Sequence, residues 1–172
     1  MSMLPLCFEP DPILRTVAKP IDRVTPAIRR LAEDMIQTMY DRDGIGLAAP
    51  QIGKDLQLFI ANPTQEPGKE LVVINPVLKP VSGHASIVEG CLSLPNIWER
   101  VRRAQIVRLQ GQDLSGRPIA FEADGLLAIV LQHEMDHLLG HLFIDRLSWL
   151  KRQRALARWR KHKREATRLK RS

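Results

Sequence analysis

Apolar positions recur at two spacings along the chain, and the changes of spacing outline its elements. Thr25 and Pro26 form a helix start, a hydroxyl cap with proline in the first turn, and Ile28, Leu31, Ala32, Met35 and Met39 follow at helical spacing. "DRDGIGLAAPQIG" interrupts that pattern, with Gly44, Gly46 and Gly53 marking turns or close backbone approaches around a short apolar piece. "LQLFIAN" and "ELVVINPVLKP" predict strands broken by proline-containing turns, and "ASIVEGCLSLP" predicts another strand. "RRAQIVRLQGQDLSGRPIAFEADG" predicts a hairpin turning at Asp113 to Gly116. Asp124 and Gly125 precede an apolar run through Leu131, which predicts a largely buried helix stopping at Gly140. Ser148 is placed to cap a final helix. A helix, several short strands and then a core helix imply an α+β fold, with mainly antiparallel sheets packed around that central helix and a basic helix at the C-terminal end.

The 172 residues fit one domain, and no repeat or linker divides them. No run approaches the roughly eighteen apolar residues of a membrane span. The first residues, "MSMLPLCFEPDPILR", have no basic region before the apolar ones, so a cytoplasmic location is expected. Two cysteines, Cys7 and Cys91, are too few for a disulfide framework. The net charge of +7 suggests nucleic acid, but it is localised. Residues 151 to 172 hold eleven Lys and Arg against the single acid Glu165, a balance of +10, which leaves −3 on the first 150 residues. Residues 1 to 150 are therefore expected to form the working domain, and 151 to 172 a basic helical extension of it.

"LQHEMDHLLG" carries the clearest chemistry. On a helix, His133 and His137 lie four apart on one face and can converge on a metal, with Glu134 beside them, the H-E-x-x-H pattern of metal-dependent hydrolysis. A catalytic metal needs a further protein ligand and an open position. His141 continues the series at i+8, a different height on the helix that cannot converge without a break. Asp145 is available, whereas Asp136 precedes His137 and so points away from the metal face, where solvated helix surface is expected. Glu165 lies in the basic tail, where pairing with a neighbouring Lys or Arg is expected. Cys91, within "EGCLS", is either the third ligand or a small buried hydrophobe, and spacing alone leaves both open.

Taken together, "GIGLAAPQ" (44 to 51), "EGCLS" (89 to 93) and "HEMDHLLG" (133 to 140) resemble the three signature motifs of peptide deformylases, in the same order and over residues 10 to 150. The resemblance implies hydrolysis of the formyl amide of N-formyl-methionyl nascent peptides, with release of formate. It further implies one divalent metal ion on Cys91, His133 and His137, Fe(II) in the cell, with zinc, nickel and cobalt compatible with the same ligands. Glu134 is then the catalytic acid and base, and Gln51 and the backbone N–H of Leu92 the oxyanion partners. A zinc endopeptidase with Asp145 or Glu165 as third ligand, and an RNA-binding module holding a structural metal, are the rival readings.

Leu126, Ile129 and Val130 stand seven, four and three residues before His133, so they either line a methionine pocket or serve as ordinary core. Ile45 and Gly46 offer backbone to an extended substrate. Glu89 is expected to pair with Arg102 or Arg103. Trp98 departs from the family pattern at the rim of the site. In the tail, Trp149, Leu156 and Trp159 are expected on one narrow face with Lys and Arg around the rest, a helix suited to the RNA-rich surface of the ribosome. A monomer is expected.

Overall fold

The computed structural model describes residues 3–169. Helix α1, Pro26–Asp41, starts as the pattern predicts, with the Thr25 hydroxyl accepting from the Ile28 N–H. Five strands follow: β1, Gly46–Ala48; β2, Leu58–Ala61; β3, Leu71–Cys91; β4, Leu94–Gln112; and β5, Pro118–Ala123. Helix α2 is Gly125–Leu138 and helix α3 is Trp149–Leu169. The strands form one sheet in chain order, antiparallel throughout.

Helix α1 and helix α2 cover opposite faces of this sheet, and β2 shows how. Phe59 and Ala61 pack with Ala128, Val130 and Leu131 of α2, whereas Leu58 and Ile60 pack with Met35 and Met39 of α1. All four residues of β2 are therefore buried, which accounts for its unbroken apolar run.

One feature of the sheet differs from the expectations. The segments read as separate strands around Pro76 and Pro80 are one strand, β3, paired along its length with β4. Its register shifts fall between Ile74 and Val77, between Pro80 and Ser82, and between Glu89 and Cys91. A proline cannot donate to the ladder, and a bulge places it where no donor is needed, so the chain bends without ending. The turn between β4 and β5 does lie at Asp113–Gly116, where Asp113 accepts from the Ser115 and Arg117 N–H groups and Gly116 takes a φ of +77°.

In α3, Leu156 and Trp159 are buried with Ala155 against Leu94, Ile97, Val101 and Phe143. Trp149 shares their face by spacing but is 73% exposed, because the first three residues of the helix all lie in solvent. From Arg160 to Ala166 every side chain is exposed. The last three residues of the predicted basic helix, 170–172, lie outside the described residues. Among the described residues, no helix is long and apolar enough to cross a membrane.

Candidate active site

Helix α2 presents His133, Glu134 and His137 beneath the end of the β3–β4 hairpin, where Cys91 stands at the last position of β3. Ligand atoms of Cys91, His133 and His137 all lie within 4.8 Å of one another, and Cys91 Sγ is 3.3 Å from His137 Nε2. The competing third ligands go elsewhere. Asp145 accepts from Arg15 at 2.5 Å and from the Leu142 N–H at 2.8 Å, in a turn facing α3. His141 is exposed, and Glu165 lies 4.0 Å from Lys161 and from His162.

The electrostatics suit a cation. Burial opposes ionisation of Cys91, but the adjacent His137 charge and hydrogen bonds from both histidines outweigh it, lowering the thiol to about 5. His133 is likewise desolvated, yet hydrogen bonds to Cys91 and Glu89 raise it well above the ordinary histidine value. Glu134 is raised to about 7 by burial, against the lowering pull of the two imidazoles. Among the described residues, its Oε2 is buried without a hydrogen-bond partner, as is His137 Nδ1. A thiolate, two imidazoles and an unpartnered carboxylate oxygen in one cleft fit a divalent transition-metal ion. We predict that Cys91→Ser sharply lowers the metal content of the purified protein and that Cys7→Ser leaves it unchanged. Equal content in the two variants would remove Cys91 from the ligand set.

Behind the histidine runs a buried ionic chain. His133 Nδ1 donates to Glu89 at 2.8 Å, and Glu89 takes a two-pronged bond from Arg103, at 2.7 and 2.8 Å. Arg103 also donates to Asp136 at 2.6 Å, and Asp136 is bonded in turn by Arg146. Of the two arginines expected near Glu89, Arg103 is therefore the partner, and Arg102 is exposed. Asp136 corrects the expectation of solvated surface: it points away from the metal face, but onto a buried guanidinium, and is itself buried. A signal for this existed in β4, where Arg103 shares the inward phase of Val101, Val107 and Leu109.

On the other side of the cysteine, Gln51 is fully buried in a 3-10 turn, Ala49–Ile52. Its Oε1 accepts from the Ala48 N–H at 2.8 Å, which aims Nε2 at Ser93 Oγ, 3.3 Å away, and at Cys91 Sγ, 3.5 Å away. Leu92 follows Cys91 at the hairpin tip. A cavity of about 770 Å³ opens over these groups and is lined by Ile45, Gly46, Leu126, Ile129 and Val130, all predicted from the sequence. Leu126 stands at its mouth, 42% exposed, and Trp98 forms an exposed rim. A Cβ at Gly46 would lie 2.2 Å from Glu134 Oε1, so any side chain there would push the carboxylate aside. Leu6 and Phe8 also line the cavity, and the irregular N-terminal segment carrying them has no periodicity to announce it.

Groups able to hold a transition ion, exchange a proton and donate to a developing oxyanion thus meet at one end of an apolar cavity, the equipment of a metal-dependent hydrolase. Residues 3–153 match the model of the polypeptide deformylase family, and the chain belongs to that family. It is 48% identical over 155 residues to the peptide deformylase of Acinetobacter baumannii (strain SDF), covering 90% of this chain and 88% of that one. The peptide deformylase of Legionella pneumophila has a similar structure, with a TM-score of 0.92, 40% identity, and coverage of 97% of this chain and 99% of that one. That of Synechococcus elongatus, in complex with actinonin, gives a TM-score of 0.86 at 42% identity, covering 90% and 86%.

Proposed function

We propose that the chain removes the formyl group from N-formyl-methionine at the start of nascent polypeptides and releases formate. The convergence of Cys91, His133 and His137 around the unpartnered carboxylate of Glu134 carries this reading. Cys91, His133 and His137 hold one divalent ion, which when bound supplies Lewis acidity and lowers the pKa of water towards about 7. Glu134, titrating near neutrality, takes the proton of the attacking water and passes it to the departing amine. The Gln51 amide and the Leu92 N–H donate to the oxygen that gains charge as the amide carbonyl becomes tetrahedral. Glu89 keeps the His133 Nδ1 proton engaged and so fixes the ring with Nε2 towards Cys91.

Ile129, Val130 and Leu126 receive the methionine side chain, while Ile45 and Gly46 meet the extended backbone of the peptide. Burial of a methionine side chain is worth about 1.5–3 kcal/mol, so kcat/KM for formyl-Met-Ala-Ser is expected to exceed that for formyl-Gly-Ala-Ser by about tenfold or more. Equal values would remove the pocket from the account.

The ion in the cell is Fe(II) in this reading. An iron form is expected to lose activity in air as the metal or its thiolate oxidises, while a nickel form keeps it. Equal half-lives under oxygen would count against a thiolate-ligated iron. Zinc or cobalt fits the same ligands.

The protein acts as a cytoplasmic monomer at the ribosome, and the basic tail brings it there. The catalytic domain includes the packed part of α3 as far as Trp159, and the exposed residues beyond form the docking extension. Removal of residues 161–172 is expected to abolish co-sedimentation with ribosomes and leave turnover of a short formyl-peptide within a few-fold of the parent, and binding by the full chain should weaken steeply with salt. Undiminished or salt-indifferent binding would show the extension to be only a solvated helix.

A further inference from the structure

We propose that Trp159 of α3, far along the chain from every group in the chemistry, is a positioning residue for the oxyanion side of the site and acts through the N-terminal segment. The proposal rests on the deformylase reading above for its kinetic consequences, and on the geometry alone for its structural ones.

Residues 3–9 form no regular element, so they are held only by what they touch. The Leu4 N–H donates to Thr38 Oγ1 at 2.9 Å, the Cys7 N–H to the Gln51 carbonyl at 2.7 Å and the Glu9 N–H to the Ser93 carbonyl at 3.2 Å. Gln51 and Ser93 are the two residues whose side chains meet beside Cys91, with Gln51 Nε2 3.3 Å from Ser93 Oγ. The segment therefore spans the backbones that aim the amide donor. Its side chains at alternate positions, Leu6 and Phe8, line the substrate cavity.

Trp159 fastens the far end of this segment. It is buried, its Nε1 donates to the Glu9 carbonyl at 2.9 Å, and its ring stacks on Phe8 with centroids 6.4 Å apart and 30° between planes. Helix α3 presents it from a fixed position, since Arg152 forms an ion pair with Asp145 at 3.0 Å and Arg158 pairs with Glu99 on β4. One indole thus stacks on Phe8, which stays 38% exposed, and donates to the Glu9 carbonyl at the residue whose N–H bonds Ser93. Release of the indole frees the segment from α3 and leaves the Gln51 turn with one backbone tether fewer in fixed position. A donor displaced by about 1 Å can cost up to about 10²-fold in rate. Partial loosening should therefore cost about tenfold.

Two measurements on the full-length, metal-loaded chain test this. The first is hydrogen exchange, which does not depend on activity: in Trp159→Leu the Cys7 and Glu9 amides should exchange about tenfold faster or more than in the parent, and Trp159→Phe should lie between. Unchanged exchange at both amides overturns the proposal, whatever the enzyme turns over. The second is steady-state hydrolysis of formyl-Met-Ala-Ser. Trp159→Leu is expected to lower kcat about tenfold with KM and metal content near parental, and Phe8→Leu to lower it in the same sense. In a Gln51→Ala background the same Trp159→Leu change should cost less than about twofold, because the donor it positions is gone. Equal losses in both backgrounds, or an unaltered kcat in the parent background, overturn it. If Trp159→Leu does not fold, Trp159→Phe and Phe8→Leu carry the same comparisons. Absence of formate from the parent itself would refute the functional reading and leave the exchange result to decide whether Trp159 fixes the N-terminal segment.

Discussion

Glu134→Gln is expected to retain its metal and to lose deformylation by about 10³-fold or more. Proton transfer by a positioned side chain contributes about 10²–10⁴-fold, and here one group both receives and delivers the proton. Cys91, His133 and His137 are untouched by the change, and glutamine has the size and shape of glutamate, so neither the ligand set nor the contact with Gly46 is disturbed. What disappears is ionisation near neutrality, where burial in the cleft has raised Glu134 to about 7. An amide has no comparable basicity at that pH. Metal content and initial rates on one preparation decide the matter: near-parental turnover would refute the assigned role, and loss of the metal would make the carboxylate part of the ligand set.

Arg103→Met is expected to destabilise the fold by about 3–5 kcal/mol at neutral pH, the usual cost of leaving buried charges without their partner. Arg103 is 3% exposed at its side chain, with Glu89 at 5% and Asp136 at 4%, so neither carboxylate can turn to solvent. In the parent both carboxylates are desolvated, yet hydrogen bonds and charge hold their pKa values below the ordinary range: Arg103 and His133 act on Glu89, and Arg146 and Arg103 on Asp136. A carboxylate depressed on folding stabilises the native state above its unfolded pKa of about 4, and that contribution is lost as pH falls through the folded value. Parent stability should therefore fall below about pH 4. In the variant Glu89 has lost its main partner and Asp136 keeps only Arg146, so both acids should protonate at higher pH than in the parent and the gap between the two narrows in acid. Urea unfolding at pH 7 and at about pH 3.5 measures this, and a gap under about 1 kcal/mol at pH 7, or one independent of pH, would contradict it.

The parts legible in the sequence are those set by local spacing. His133, Glu134 and His137 share a helix face because residues three and four apart must, and the cap at Thr25, the turn at Asp113 and the pocket positions Ile129 and Val130 follow from the same short-range geometry. Spacing does not decide Cys91, since its meeting with His137 depends on a hairpin tip 46 residues away in sequence; only the linked motifs favour it over a packed thiol. Pro76 and Pro80 carry the local signature of strand ends, and only pairing with β4 shows that bulges absorb them. Asp136 points off the metal face as its position requires, but whether that side holds water or an arginine is a property of the packed sheet. Trp149 fails in the converse way: its spacing matches Leu156, yet it stands in a first turn that lies in solvent.

Formate release by the iron-loaded, full-length chain under argon decides whether the protein is a deformylase. With formyl-Met-Ala-Ser as substrate, the expected result is one formate and one free methionyl amine per peptide consumed, and no cleavage of casein under the same conditions. Cleavage of casein without formate from the formyl-peptide would contradict it and return the HExxH helix to an endopeptidase.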